Sequence, residues 1–290
     1  MKDAINIFLF SYDLFGFNLR LVYNVLGEVK MSKKGISFYF GFITNPKARA
    51  TVIKNTGFDC VITSADERYD CQNGKIASQC KIFSETGLIP SSFHMRYKKK
   101  ELKFFWKDGE IGDKIEKDIV KDIKLAKKYG FSCVVAHFEG EASEIGFNRI
   151  RRVLKVCEKF DVPLAVENIG YQHLFEQIFA TLKSDYLKFC YDIGHNNYFD
   201  PDFDYLSKYG NKLIALHLHS NDGTADMHTL NKYGNVNWDA FAKKIAKINP
   251  NINLDYEILM KKSGGETENK VVEETFKQAC ELEKLIEKYK

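Results

Sequence analysis

Leu213-Ile214-Ala215-Leu216-His217-Leu218-His219 is an apolar run that ends in two imidazoles. In an extended strand successive side chains alternate between faces, so Leu213, Ala215, His217 and His219 share one face and Ile214, Leu216 and Leu218 the other. The second set suits contact with a layer of helices. The first would point into a barrel and carry both histidines to its mouth. The pattern recurs in Ser91-Ser92-Phe93-His94, Val134-Val135-Ala136-His137, Leu164-Ala165-Val166-Glu167, Phe189-Cys190-Tyr191-Asp192 with His195 following, and Leu254-Asp255-Tyr256-Glu257. A histidine or carboxylate that closes a buried strand is unfavourable unless it is paired, protonated or bound to a metal. Short apolar strands that each end in such a group describe a parallel barrel with its reactive rim on one side.

From Gly35 onward, short β-branched or aromatic runs alternate with longer amphipathic stretches. Thr56-Gly57-Phe58, Thr86-Gly87-Leu88 and Tyr129-Gly130-Phe131 read as helix ends, because glycine takes the left-handed conformation after a helix cheaply. Strands are expected at roughly 36–42, 59–63, 89–94, 132–137, 163–167, 187–192, 213–219 and 252–258. Helices are expected at about 46–55, 73–86, 112–129, 144–160, 172–182, 203–209, 237–247 and 268–288. This alternation predicts an α/β fold, a (β/α)8 TIM barrel forming a single domain over 35–290. A doubly wound sheet is the alternative, but no glycine-rich phosphate loop follows the first strand.

Residues 1–34 read as an N-terminal extension, with Met31 an alternative natural start because Ser-Lys-Lys-Gly and the first clear strand follow it. The apolar stretches 5–10 and 21–26 are broken by Asp13, Asn18 and Arg20, too short for the roughly 20 apolar residues of a membrane span. With 43 Lys and Arg against 39 Asp and Glu, the net charge of +4 makes no demand for nucleic acid. The 7 cysteines are scattered without a CxxC pair, which suits a reduced, cytoplasmic protein. A homo-oligomer is compatible with the sequence.

Taken singly, each histidine is better explained as a hydrogen-bonded core side chain than as a ligand. Together, Glu167, Asp192, His217 and Glu257 end four successive strands that converge at a barrel rim, and three oxygens with one nitrogen suit a divalent ion such as Mn²⁺, Mg²⁺, Co²⁺ or Zn²⁺. Asp192-Ile193-Gly194-His195 and Asp226-Met227-His228 add an acid and an imidazole in the loops after the sixth and seventh strands.

In Ala165-Val-Glu-Asn168, Cys190-Tyr-Asp-Ile-Gly-His195, Leu216-His-Leu-His-Ser-Asn-Asp-Gly223 with Asp226-Met-His228, Gly234-Asn-Val-Asn-Trp238 and Tyr256-Glu257, the chain resembles the xylose isomerase-like barrel superfamily. The bacterial sugar phosphate isomerase/epimerases resemble it most. The resemblance implies that Glu167, Asp192, His217 and Glu257 hold one divalent metal ion that binds two adjacent oxygens of a sugar or sugar phosphate. It further implies that Glu167 and Glu257 move the proton α to the carbonyl through a metal-stabilised cis-enediolate, while His195 orients or polarises the substrate. His94, His137, His219, Asp226 and His228 would line the pocket, with His217 and His219 interchangeable as the seventh-strand ligand. Arg96 and Lys98 are candidates for a substrate phosphate. Tyr39, Phe40, Phe104, Phe105 and Trp106 would form an apolar wall or pack on helices.

The apurinic endonucleases, zinc phosphodiesterases of the same superfamily, are the rival, because His94, His137, Glu167, Asp192, His195, His217, Asp226, His228 and Glu257 supply every ligand type of their three-zinc cluster. The short 219–226 segment, the mild charge and the Ser-Asn-Asp-Gly loop favour a sugar over nucleic acid. A sugar or inosose dehydratase is a further alternative, as is a sugar-binding protein without activity. The pair of glutamates speaks against the last.

Overall fold

A computed structural model describes residues 32–38, 41, 45–259 and 267–290. The expectations for residues 1–31 and for Tyr39 and Phe40 therefore lie outside the described residues. Eight parallel strands are present: β1 Lys34–Ser37, β2 Cys60–Ser64, β3 Ile89–His94, β4 Cys133–Ala136, β5 Leu164–Glu167, β6 Leu187–Asp192, β7 Leu213–His217 and β8 Leu254–Tyr256. Neighbours pair in chain order from β1 to β7, and β8 pairs with β1. The remaining gap is bridged at Leu218, whose N–H donates to the Asp255 carbonyl and whose carbonyl accepts from Glu257 N, each at 2.9 Å. This is the expected (β/α)8 barrel.

The helices are α1 Pro46–Thr56, α2 Asp70–Asn73, α3 Ile76–Thr86, α4 Glu110–Tyr129, α5 Glu144–Phe160, α6 Gln172–Thr181, α7 Ile193–Phe199, α8 Tyr205–Tyr209, α9 Trp238–Ile248 and α10 Glu268–Tyr289. Gly57, Gly87 and Gly130 close α1, α3 and α4 with φ of 118°, 73° and 79°, as their sequence contexts require. In α5, Phe147, Ile150, Val153, Leu154 and Cys157 recur at three- and four-residue spacing and form the buried stripe. Among the described residues no helix is long and apolar enough to cross a membrane.

Three expectations need correction. The first strand begins at Lys34 rather than at 36, because its register is set by Lys34 beside Leu254 and Gly35 beside Cys60, and its expected course over 39–40 and 42 lies outside the described residues. The helix expected over 73–86 is interrupted at Gly74 (φ 73°), leaving a short turn before α3. Residues 193–199, read from sequence as a loop, form α7, started by the Asp192 carboxylate accepting from His195 N at 2.6 Å.

What positions the rim is the inward face of each strand. Cys133, Val135, Ala165, Cys190 and Ala215 form a small apolar cluster inside the barrel, while the large aliphatic and aromatic residues pack between sheet and helices. Two residues beyond Val135, Ala165, Cys190 and Ala215, the same period-2 face carries His137, Glu167, Asp192 and His217.

Candidate metal centre and substrate cleft

Glu167 lies at the middle of the barrel mouth. Its Oε2 is 2.8 Å from His137 Nε2 and 3.7 Å from His94 Nε2, and its Oε1 is 3.1 Å from His217 Nδ1 and 3.3 Å from His195 Nδ1. Glu257 Oε2 reaches His217 Nδ1 at 3.5 Å and His228 Nδ1 at 3.6 Å. Asp192 pairs with His219 Nε2 at 3.0 Å and lies 3.6 Å from His195 Nδ1. Asp226 sits 3.2 Å from His228 Nε2 and 3.4 Å from His195 Nε2. All six rim histidines are thus brought together with four carboxylates. The two candidates for the seventh-strand ligand differ in surroundings: His217 faces the two glutamates, whereas His219 faces Asp192 and stacks on His228 at 3.8 Å.

Three histidines have one ring nitrogen committed to a backbone carbonyl. His94 Nδ1 donates to Met95 O at 2.9 Å, His195 Nδ1 to Asn168 O at 3.1 Å, and His228 Nδ1 to Glu257 O at 2.9 Å. A carbonyl only accepts, so in the neutral ring Nε2 carries the lone pair. For His195 and His228 that lone pair faces Asp226, whereas for His94 it faces His137 Nε2 at 3.1 Å, with Glu167 Oε2 farther off at 3.7 Å. Lone pair against carboxylate is repulsive unless a proton or a metal ion lies between them.

Protons would satisfy such pairs too, and the neighbouring charges set the direction in which each group is shifted. Burial opposes ionisation of Glu167, but His217 and His137 outweigh it and hold the carboxyl well below the usual range. Burial likewise opposes charge on His228, yet Asp226 and Glu257 raise it to about 9. His195 is raised well above its ordinary value by Asp192, Asp226 and Glu167 against the same opposition. His94 goes the other way, pushed down to about 4 by burial and the neighbouring His137.

The donor set fits a divalent ion. Ligand atoms of Glu167, Asp192, His217 and Glu257 all lie within 4.8 Å of one another, close enough to converge on one ion with small side-chain movements. His94, His137 and Glu167 meet the same criterion, and so do His195, His219, Asp226 and His228.

Above these groups opens a small cleft of about 90 Å³. Besides the rim ligands it is lined by Ser64, Asp66, Arg68, Tyr69, Tyr97 and Lys99. None of these six was singled out from sequence as a site residue. Their one signal is position, since they follow β2 and β3, whose loops must also reach the mouth of such a barrel. Arg96 and Lys98 do not line the cleft: the Arg96 guanidinium is held by Asp122 at 2.6 and 2.8 Å, and Lys98 pairs with Glu101 at 3.3 Å. Phe105 and Trp106 are buried against Phe138, with Trp106 also meeting Phe147, so they pack rather than form a wall.

The chain belongs to the xylose isomerase-like TIM barrel family, whose sequence model matches residues 51–280. Within it, the chain is 35% identical over 111 residues to an uncharacterized protein of Sinorhizobium fredii, the match covering 36% of either chain. The chain spans 64% of the length of a second uncharacterized relative, from Methanocaldococcus jannaschii. Among solved structures, a D-tagatose 3-epimerase-like protein superposes with a TM-score of 0.71 at 17% identity, covering 88% of this chain and 98% of that one. The IolI protein with a bound zinc atom superposes at 0.69 and 15%, covering 89% and 99%. Both likenesses are of fold.

Proposed function

We propose that the chain is a divalent-metal-dependent isomerase or epimerase of a sugar or sugar phosphate, working by proton transfer next to a carbonyl. The observation that carries this reading is the convergence of Glu167 and Glu257, from β5 and from the end of β8, on the His217 imidazole at 3.1 and 3.5 Å. Glu167, Asp192, His217 and Glu257 would hold the ion, which when bound would polarise a carbonyl and offset the negative charge that develops as a proton leaves. Two carboxylates reaching one point from separate strands can address opposite faces of a small substrate, one removing the α proton and the other returning one. His195, fixed by the Asn168 carbonyl, would orient a substrate oxygen. His94, His137, His219, Asp226 and His228 would complete the binding surface. The D-tagatose 3-epimerase-like protein among the similar folds, and the zinc atom in another, support the same reading.

The test is incubation of metal-loaded protein with a panel of ketoses and their phosphates in D₂O, read by NMR. Deuterium should enter at the carbon beside the carbonyl, and Glu167→Gln or Glu257→Gln should slow entry by about 10²-fold to 10⁴-fold. Product that retains the original hydrogen at that carbon would mean hydride transfer and end the proton-transfer reading.

A second reading, a three-metal phosphodiesterase acting on abasic DNA, is favoured by the two additional ligand groups around His94 and His228. The cleft speaks against it, because among the described residues Arg68 and Lys99 are the only Lys or Arg side chains along its walls, few cations for a polyanion's phosphates. Incision of abasic-site DNA with three bound ions per chain would reverse the choice.

A further inference from the structure

Arg68 stands apart from every other arginine that the described residues tie into ion pairs within the helix layer. It follows β2, lines the same cleft as His94, His137, Glu167 and Glu257, and its side chain is half exposed. Asp66 grips one edge of its guanidinium, Oδ1 accepting from Nε at 2.9 Å and Oδ2 from Nη2 at 2.8 Å. The Tyr97 ring lies under the guanidinium at 4.9 Å from its centroid, with Tyr69 at 5.6 Å. Asp66 is itself fixed, accepting from the backbone N–H groups of Arg68 at 3.0 Å and Tyr97 at 3.2 Å. The fork is therefore held in one plane, and Nη1 has no hydrogen-bond partner among the described residues. Lys99 adds a second positive charge to the same cleft.

A guanidinium that lines a cleft and has only part of its fork spent on a carboxylate keeps donors for an oxyanion. Its pairing with Asp66 does not cancel this role, because the carboxylate takes one hydrogen from Nε and one from Nη2 and leaves three of the five N–H donors unspent on it. Away from the candidate metal ligands, Arg68 and Lys99 are the Lys or Arg side chains that line the cleft.

Resting on the isomerase or epimerase reading, we infer that Arg68, with Lys99, binds a terminal oxyanion of the substrate and so selects an acidic sugar, one bearing a phosphate or a carboxylate, over the neutral sugar. Phosphate and carboxylate both present a pair of anionic oxygens to a guanidinium fork, and the choice between them falls to the assay.

The experiment compares wild type, Arg68→Gln and Arg68→Lys, all metal-loaded. Proton exchange in D₂O is followed with a ketose, its terminal phosphate and the corresponding acid. Wild type should favour one of the two anions by about 10-fold or more in kcat/KM, the worth of a charge-assisted hydrogen bond, and Arg68→Gln should erase that preference chiefly through KM. Arg68→Lys keeps the charge but not the fork and should recover part of it. In parallel, calorimetric titration with inorganic phosphate should show affinity about 10-fold weaker in Arg68→Gln than in wild type. Weakened phosphate binding without exchange in any sugar would leave the anion site standing and overturn the isomerase reading. Turnover that favours the neutral sugar, or an anion preference equal in all three proteins, would overturn the role of Arg68. Circular dichroism on each variant separates these results from misfolding, and Arg68→Lys carries the test should Arg68→Gln not fold.

Discussion

Replacing Gly194 with alanine sets helix propensity against a close approach in the site. Gly194 lies in α7, where alanine is favoured over glycine by about 1 kcal/mol, so local preference alone predicts a more stable protein. A Cβ at this position would stand 2.0 Å from His219 Cε1 and 2.3 Å from Nδ1. Carbon atoms in contact prefer about 3.5 Å or more, so the ring must retreat by about 1.5 Å. It has nowhere to go, being fully buried, stacked on His228 at 3.8 Å and bonded to Asp192 at 3.0 Å. Overpacking of this kind costs about 1–3 kcal/mol, which leaves Gly194→Ala unchanged to about 2 kcal/mol less stable in urea unfolding. The larger effect falls on function. A displaced His219 shifts the Asp192 carboxylate, and disturbance of a ligand's neighbours lowers metal affinity by about 10-fold to 100-fold. Calorimetric metal titration measures this directly. A variant about 1 kcal/mol more stable than wild type, with undiminished metal affinity, would refute the reasoning.

Two further outcomes concern the scaffold. Asp122 is wholly buried and accepts three hydrogen bonds from Arg96, one from its backbone and two from its guanidinium, so Asp122→Ala should cost about 3 kcal/mol in urea unfolding, and a loss under 1 kcal/mol would show the pair to be dispensable. Because the described barrel is complete from β1, which pairs with both β2 and β8, a chain beginning at Met31 should melt within about 2 °C of the full chain, and insolubility or a larger drop would assign residues 1–30 a structural role.

The rim was legible because strand ends leave a strong signature: apolar alternation interrupted by a group that does not belong in a core. His94, His137, Glu167, Asp192 and His217 were found that way, and the helix-closing glycines fixed the spacing between them. What escaped lacked that signature. Ile36 to Phe40 reads as an apolar strand, yet pairing with two neighbours rather than hydrophobicity decides where β1 begins, two residues earlier. Ile193-Gly194-His195-Asn196-Asn197 is poor helix material and became α7 because the Asp192 carboxylate caps it. Arg96 drew attention through proximity to His94, but Asp122 occupies the buried stripe of α4 beside Ile115, Ile119 and Ala126. A carboxylate in such a stripe requires a cationic partner, and that partner is Arg96, which left the cleft to Arg68.

The same economy of contacts explains why the candidate ligands arrive already oriented. The last ladder pair between β5 and β6 is Glu167 beside Cys190, and Asn168 extends it with a side chain, its carboxamide accepting from Asp192 N and donating to Asp192 O, each at 2.8 Å. The Asn168 carbonyl then takes the His195 ring, and Asp192 caps the helix that carries His195. Glu167, Asp192 and His195 therefore form one unit in which moving any member strains the other two. On the opposite side His228 adopts φ 49°, a left-handed conformation that costs a non-glycine residue about 1 kcal/mol or more. It is held there by its ring donating to Glu257 O at 2.9 Å and its carbonyl accepting from Leu259 N at 2.8 Å, which bind the loop after β7 to the end of β8. Strain that is retained by two hydrogen bonds at a rim of candidate ligands is what a site requires when His228 and Glu257 must keep a fixed separation. The two units meet at His217, which touches a glutamate from each, so the geometry proposed for proton transfer is set by the backbone before any substrate enters.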